Sequence, residues 1–148
     1  MSVPERTAAI AADHAGFALK AVLGRVLETE GFTVLDFGTN GPDSVDYPDF
    51  AHLACAAIES GQARLGVLVC GTGIGMSIAA NRHAGIRCAL LHDVTGARLT
   101  RAHNDANVLA MGARLIGEEV AIDILRTFLA TPYEGGRHDR RLSKLTPS

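Results

Sequence analysis

Short apolar runs alternate with longer amphipathic segments along almost the whole chain. Each run is about five residues long, and several are rich in β-branched side chains. This pattern is typical of strands that are buried on both faces of a parallel sheet. The runs are Ala8–Ala12, Thr33–Phe37, Leu65–Val69, Arg87–Leu91 and Asn107–Met111.

The segments between these runs have the apolar spacing of helices. In the first segment, apolar residues from Phe17 to Leu27 form one stripe and charged residues take the opposite face, as in a helix on a core. Gly31 then ends that helix. The remaining helices are predicted over about Pro48–Ser60, from near Ile74, from near Val94, and over about Glu118–Leu129.

Five strands that alternate with five helices predict an α/β fold. We expect a Rossmann-like or flavodoxin-like three-layer sandwich with a five-stranded parallel sheet. The strand order 2-1-3-4-5 is the commonest small solution and is the order we predict. No linker or repeat divides the sequence, so we expect one domain over residues 1–148, with a tail from about 131 to 148 that contributes to a site or to a dimer.

Composition and charge exclude several classes of protein. Of the 148 residues, 47% are hydrophobic and 20% are charged, which is typical of a globular domain and argues against disorder. Fourteen basic and sixteen acidic side chains give a net charge of −2, so we expect no nucleic-acid partner. No apolar run approaches the roughly 18 residues of a membrane span, so we expect no membrane partner.

The expected compartment is the cytoplasm. The first six residues lack the apolar core of a signal peptide. The chain has three cysteines, Cys55, Cys70 and Cys88. This number is small and odd, which argues against a disulfide scaffold. We therefore expect free thiols.

A glycine-rich segment from Cys70 to Ser77 follows the third apolar run and leads into a helix. Three glycines in five residues permit a tight turn that presents several N–H groups to an anion. No lysine precedes a Ser or Thr here, so the segment is not a P-loop, and Met76 stands where the dinucleotide fingerprint needs glycine. The alternative is a tight strand-to-helix turn that binds no ligand.

Cys70 lies at the mouth of this loop. The positive end of a helix stabilises a thiolate, so Cys70 can act as a nucleophile or as a general base. A cysteine that ends a buried strand is otherwise a small core residue, and this is the role we expect for Cys55 and Cys88.

Asp13 and His14 follow the first run, where they suit contacts with sugar hydroxyls or a phosphate. The alternative is an aspartate that caps the first helix beside an ordinary surface histidine. His103 and Asn104 close the fourth helix as a proton shuttle with an amide donor, or simply as part of its C-terminal cap.

Arg137 and Arg141 share a face if the tail is helical, and they would then bind a phosphate as paired forks. Otherwise they are solvated charges. No Cys/His cluster has the spacing of metal ligands, so no metal site is predicted.

Six motifs in order strongly resemble those of the ribose-5-phosphate isomerase B family, also called the ribose/galactose isomerase family. The resemblance covers residues from about 8 to 145. The motifs are Asp13–Gly16, Asp36–Thr39, Asp46–Pro48, Cys70–Asn81, His103–Leu109 and Tyr133–His138.

The resemblance implies an aldose–ketose isomerase that interconverts ribose 5-phosphate and ribulose 5-phosphate, with no cofactor and no metal. By this resemblance Cys70 is the base at C2 of the open-chain sugar, His103 opens the furanose ring, and Thr72 belongs to the same catalytic set. Family members without the cysteine use a carboxylate of the glycine loop, where this chain has Met76. The implied substrate contacts are Asp13, His14, Tyr47, Gly71, Gly73, Ile74, Gly75, Ser77, Asn104, Arg114, Arg137 and Arg141.

The expected partners are a sugar phosphate and a second copy of the chain. Cys70 ends a strand at the carboxyl edge of the sheet, whereas His103 lies near the far end of a helix that runs back, roughly 15 Å away. We therefore expect a homodimer with shared active sites, or a dimer of such dimers. Two alternatives stay open: an isomerase of allose or galactose 6-phosphate, and a non-catalytic module that binds a phosphate or a nucleotide.

Overall fold

The structure, a computed structural model, describes residues 5–147, so both ends of the predicted domain, residues 1 and 148, lie outside the described residues. The strands are β1 Thr7–Ala12, β2 Thr33–Asp36, β3 Leu65–Cys70, β4 Cys88–Leu90 and β5 Val108–Gly112. The helices are α1 Phe17–Thr29, α2 Tyr47–Glu59, α3 Ile74–Ala80, α4 Val94–Asn104, α5 Glu118–Ala130 and α6 Arg137–Leu142.

All four strand pairs of the sheet are parallel, as the apolar runs predict. Every residue of β1 and β5 is buried, and so is β3 from Gly66 onward. Continuous burial of this kind requires helices on both faces of the sheet. The α/β class and the five-stranded parallel sheet are confirmed.

The predicted strand order 2-1-3-4-5 is wrong, because the observed order is β2-β1-β3-β5-β4. β4 has only three residues and each of them is partly exposed, whereas β5 is wholly buried. The more apolar strand therefore takes the inner place beside β3, and the short strand forms the edge, which presents the fewest unpaired backbone groups there.

The strand order decides where α4 lies. Right-handed crossovers send the connection from β3 to β4 over one face and the return from β4 to β5 over the other. One core accordingly joins α1, α4 and α5, with Leu23, Ala97 and Leu125 among its members. The second core joins α2 and α3, with Cys55 and Met76.

A buried lysine holds the loop after β2 against α1. Lys20 is 2% exposed, and its Nζ lies 2.6 Å from both carboxylate oxygens of Asp36 and 2.6 Å from Asn40 Oδ1. A buried ammonium needs such partners, since an unpaired charge would be strongly destabilising. This contact brings the loop toward the carboxyl edge of the sheet.

The tail from about 131 contains a helix that the sequence left conditional. α6 spans six residues and packs against α4. Within residues 5–147, the helices are all too short or too polar to cross a membrane.

Candidate active site

The loop between β3 and α3 has a conformation that requires glycine at position 73. Gly73 has φ +77°, and a Cβ there would lie 2.7 Å from Leu90 Cδ1 and 2.8 Å from the Met111 carbonyl carbon. An L side chain would be strained in this region and would meet backbone that cannot move. The loop therefore turns sharply over the end of the sheet, where its first residue is Cys70.

Cys70 is 5% exposed, and its Sγ accepts a hydrogen bond from the Gly73 N–H at 3.2 Å. A thiolate is a better acceptor for such a bond than a thiol. The N–H of Ile74 is also used within the loop, since it donates to Thr72 Oγ1 at 3.2 Å. Two of the five N–H groups from Gly71 to Gly75 are thus engaged by the loop itself.

Two predicted site residues from other parts of the chain flank this loop. A Cβ on Gly75 would lie 2.5 Å from Cε1 and Cζ of Tyr47, so the tyrosine ring rests against the loop. A Cβ on Gly71 would lie 3.2 Å from Nη1 of Arg114, whose backbone N–H donates to the Gly71 carbonyl at 3.0 Å. A guanidinium and a phenol ring therefore stand beside the glycine loop.

The structure places Asp13 and His14 at the same edge of the sheet. The Asp13 N–H donates to the Val69 carbonyl at 3.2 Å, one residue before Cys70. The Asp13 Oδ1 accepts from the N–H groups of Ala15 and Gly16, so this carboxylate shapes the turn before α1. His14 Nδ1 accepts from the Val45 N–H at 3.2 Å, which leaves the ring proton on Nε2 as a donor when the ring is neutral.

Ser77 differs from the other predicted contacts. Its hydroxyl donates to the Ile74 carbonyl at 2.7 Å, so its proton is committed to the helix. Ile74 itself is 47% exposed at the start of α3.

The predicted site residues described so far all lie near the carboxyl ends of the strands. They are Asp13, His14, Tyr47, Cys70, Gly71, Thr72, Gly73, Ile74, Gly75, Ser77 and Arg114.

The remaining predicted residues form a second group elsewhere. His103 and Asn104 belong to the last turn of α4, and Asp105 caps this helix with φ +46°. Arg137 and Arg141 are exposed on α6, which packs against α4. The helical tail puts the two arginines four residues apart on one face, as the conditional prediction required.

The strand register separates the two groups. Cys70 pairs with Gly112, whereas Gly66 pairs with Val108 at the other end of the same two strands. His103 lies just before Val108 in the chain, at that other end. The four residue steps between the ends span about 13 Å, at about 3.3 Å per residue. In one copy of the chain, Cys70 therefore lies at the carboxyl ends of the strands and His103 at their amino ends.

His103 has a neighbour that was not among the predicted site residues. Its ring stacks on the ring of His138 from α6, with centroids 4.5 Å apart and planes inclined by 20°. Glu134 Oε1 lies 3.5 Å from His138 Nε2. Glu134 and His138 belong to one of the motifs that carry the family resemblance, and that motif is the signal in the sequence for this contact.

The three side chains carry the ligand types of a zinc site, although the spacing along the chain predicted no metal. One ligand atom each from His103, Glu134 and His138 lies within 4.8 Å of the others. Two histidines and a carboxylate are a familiar zinc set. The two rings are stacked almost parallel, however, so their in-plane lone pairs do not converge on a single point. The geometry is that of a stacked pair.

The other two cysteines have suppressed thiolates. The pKa of Cys55 is raised to about 12, mainly by burial and to a smaller extent by the charge of Glu59. The pKa of Cys88 is raised far above its usual range, mainly by burial and to a smaller extent by the charge of Cys55. Both are therefore inert at neutral pH.

Comparison with known proteins gives one consistent result. The sequence model of the family described as Ribose/Galactose Isomerase matches residues 8–145. Ribose-5-phosphate isomerase B of Escherichia coli is 44% identical over 138 residues, which are 93% of this chain and 93% of that protein.

Solved structures agree with this match. A ribose 5-phosphate isomerase from Thermotoga maritima is 51% identical and superposes with a TM-score of 0.92, covering 95% of this chain and 97% of that one. Ribose-5-phosphate isomerase B from Clostridium thermocellum is 45% identical with a TM-score of 0.92, and 94% of each chain is covered.

Proposed function

The chain belongs to the ribose/galactose isomerase family, and from this premise we propose that it is an enzyme that interconverts ribose 5-phosphate and ribulose 5-phosphate. The observation that carries the proposal is the position of Cys70, whose sulfur lies at the mouth of a glycine loop flanked by Arg114. A base, a set of backbone donors and a cation for the phosphate are what this isomerisation requires.

In the proposed reaction, the Cys70 thiolate takes the proton from C2 of the open-chain aldose. The electron pair of that bond moves toward C1, and the C1 carbonyl oxygen becomes the oxyanion of an enediolate. Return of the proton to C1, with transfer of the C2 hydroxyl proton to the C1 oxyanion, leaves a carbonyl at C2 and a hydroxyl at C1, which is the ketose. Free N–H donors among Gly71–Gly75 hold the oxyanion, and each such donor contributes roughly 2.7–4 kcal/mol in other enzymes. Thr72 supports this set by fixing the Ile74 N–H.

His103 opens the furanose ring before this step. As a general acid it gives a proton to the ring oxygen while the C1 hydroxyl loses its proton to solvent, and the bond between C1 and the ring oxygen breaks to leave the aldehyde. Asn104, beside it in the last turn of α4, contributes an amide to the sugar hydroxyls.

The phosphate is bound away from the reacting carbons. We propose that Arg114 and the Nε2–H of His14 reach it from the carboxyl ends of the strands. Arg137 and Arg141 of the partner subunit reach it from α6, where each guanidinium can donate two hydrogen bonds. Asp13 contacts the sugar beside them. Binding energy from the phosphate holds C1 and C2 in register with the base. The other proposed contacts with the sugar are Tyr47, Gly71, Gly73, Ile74, Gly75 and Ser77.

This scheme needs two copies of the chain, because Cys70 and His103 of one copy lie at opposite edges of its sheet. We propose a homodimer in which His103 of the partner subunit approaches Cys70 across a two-fold axis, which makes two equal sites. The exposed apolar residues beside the loop support this: Ile74 is 47% and Ile78 54% exposed. Such residues are typical of interfaces.

We propose one domain over 1–148, which works in the cytoplasm and needs neither metal nor cofactor. The tail from about 131 contributes α6 to the site of the partner subunit.

An isomerase assay with ribose 5-phosphate, allose 6-phosphate and galactose 6-phosphate, in the presence of EDTA, tests the proposal. We expect the highest kcat/KM with ribose 5-phosphate. A higher kcat/KM with either hexose phosphate would assign the six-carbon sugar instead. Binding of all three without turnover would make the protein a phosphate-binding module.

A further inference from the structure

The ring of His138 lies against the ring of His103. The centroids are 4.5 Å apart and the planes are inclined by 20°, so the two imidazoles overlap face to face. His138 is 6% exposed, whereas His103 is only partly buried. The buried ring of His138 therefore packs against one face of the more accessible ring of His103.

The segment that carries His138 is attached to α4 independently of the two rings. The Glu134 N–H donates to the carbonyl of Ala102, the residue before His103, at 3.0 Å. The Tyr133 hydroxyl donates to Asp139 at 2.6 Å, which closes the segment on itself. These bonds set the place of His138 relative to the last turn of α4.

The His138 Nε2 has no hydrogen-bond partner among residues 5–147, although the carboxylate of Glu134 lies 3.5 Å away. A buried polar atom without a partner is unfavourable, and an apolar ring of similar size would avoid the cost. The stacked contact is therefore not explained by the stability of the tail.

We propose that His138 is a positioning residue, which holds the ring of His103 in the orientation that opens the sugar. A general acid must come within about 2.6–3.2 Å of the atom it protonates. His103 lies in the last turn of α4, and the stack limits the torsions that its side chain can adopt. The inference rests on the proposed function of His103.

The test separates ring opening from the proton transfer at carbon. Ribulose 5-phosphate carries its phosphate on the C5 oxygen, so it cannot close a furanose ring and is always open. Exchange of its C1 proton with deuterium from D₂O, followed by NMR, therefore needs the base but not ring opening. Turnover of ribose 5-phosphate needs both.

His138→Ala is expected to lower kcat for ribose 5-phosphate roughly 10- to 100-fold, the scale of a misplacement of about 1 Å, with KM unchanged. The C1 exchange rate should stay within about twofold of wild type. His138→Phe keeps a ring against His103 and should recover most of kcat. His52→Ala removes one ring of another close histidine pair, His52–His83, and should change neither rate.

Three outcomes would overturn the inference. In the first, His103→Ala is defective in turnover while His138→Ala is not. In the second, His138→Ala loses turnover and exchange together, as general damage would produce. In the third, His138→Phe is as defective as His138→Ala although its fold is intact. If His138→Ala does not fold, His138→Phe against His138→Leu makes the same comparison. Full turnover by His103→Ala would instead contradict the proposed function.

Discussion

Cys70 lies at the carboxyl ends of the strands and His103 at their amino ends, although the proposed reaction needs both residues at one sugar. β3 ends at Cys70 on the carboxyl edge. α4 begins at that edge and runs back over 11 residues, or about 16 Å, before it ends beside His103. No rotation of a side chain closes such a distance, so the relationship leads to a prediction about assembly.

We predict that two inactive variants restore activity when they are mixed. Cys70→Ala and His103→Ala chains, unfolded and refolded together, should form mixed dimers as half of all dimers by random pairing. Each mixed dimer has one site with an intact Cys70 and an intact His103 of the partner subunit. About a quarter of wild-type turnover should therefore return.

The control is a mixture of His103→Ala with His103→Asn, which can form no intact site and should stay inactive. If mixed dimers form with no activity, Cys70 and His103 do not act on the same sugar from two chains.

Replacement of the base should remove turnover and leave binding. We predict that Cys70→Ala lowers kcat about 10²- to 10⁴-fold, which is the usual contribution of a general base. The Kd for ribulose 5-phosphate, measured by calorimetry, should change only a few-fold, because a base contributes mainly in the transition state. Cys88→Ala is the matched control and should keep its kcat. Substantial turnover by purified Cys70→Ala would exclude Cys70 as the base.

The arginines of α6 should control affinity for the phosphate. Arg137→Ala or Arg141→Ala should raise KM for ribose 5-phosphate about 10- to 100-fold, because each loses a hydrogen bond between charged groups. Lysine at either position should recover only part of the loss, since it cannot form the fork. Arg140, exposed on the same helix, is the control, and Arg140→Ala should leave KM unchanged. An unchanged KM in Arg137→Ala and Arg141→Ala would remove α6 from the phosphate site.

The three thiols should differ sharply in reactivity toward iodoacetamide. The thiolate is the reactive form, and with a pKa raised to about 12 Cys55 holds almost none of it at pH 8. The pKa of Cys88 is raised further, by burial above all. We predict a single label at Cys70 that parallels inactivation, with protection by ribose 5-phosphate, and mass spectrometry of the peptides identifies it. A first label at Cys88, or no protection by substrate, would contradict the assigned site.

The local parts of the fold could be predicted from the sequence, and the contacts between distant parts could not. Arg87–Leu91 and Asn107–Met111 both have the pattern of a buried strand, and nothing in either run states which one pairs with β3. That choice depends on how much of each strand the helices cover, so the order of β4 and β5 was predicted wrongly. Glycine spacing did locate the loop, because the three glycines lie close together within Cys70–Ser77.

The stacked pair shows the same limit at the candidate site. His103 is in a motif with its own spacing, but its contact with His138 arises only when α6 packs on α4. A span of 35 residues separates them, and no periodicity extends over such a gap. Arg137 and Arg141 share a face of α6 because they lie four residues apart, but the sequence left open whether this segment is helical.

The contact between α2 and the segment before β4 should stabilise the fold in a pH-dependent way. Glu59 on α2 accepts hydrogen bonds from His83 at 2.8 Å and from the Gly85 N–H at 3.1 Å, and the first of these contributes most to lowering the pKa of this carboxyl below its usual 4.5. A lowered pKa in the folded state means that the stabilisation is complete above the unfolded pKa and is lost as the pH falls through the folded value. Glu59→Gln should therefore lower Tm at pH 7, and the difference from wild type should shrink as the pH falls below 4.5 and disappear once the pH is below the lowered pKa. Glu28→Gln, an exposed glutamate of α1, should show no such difference at any pH. A Glu59→Gln difference that stays constant down to pH 3 in calorimetric scans would show that shape, and not charge, holds α2 to the segment before β4.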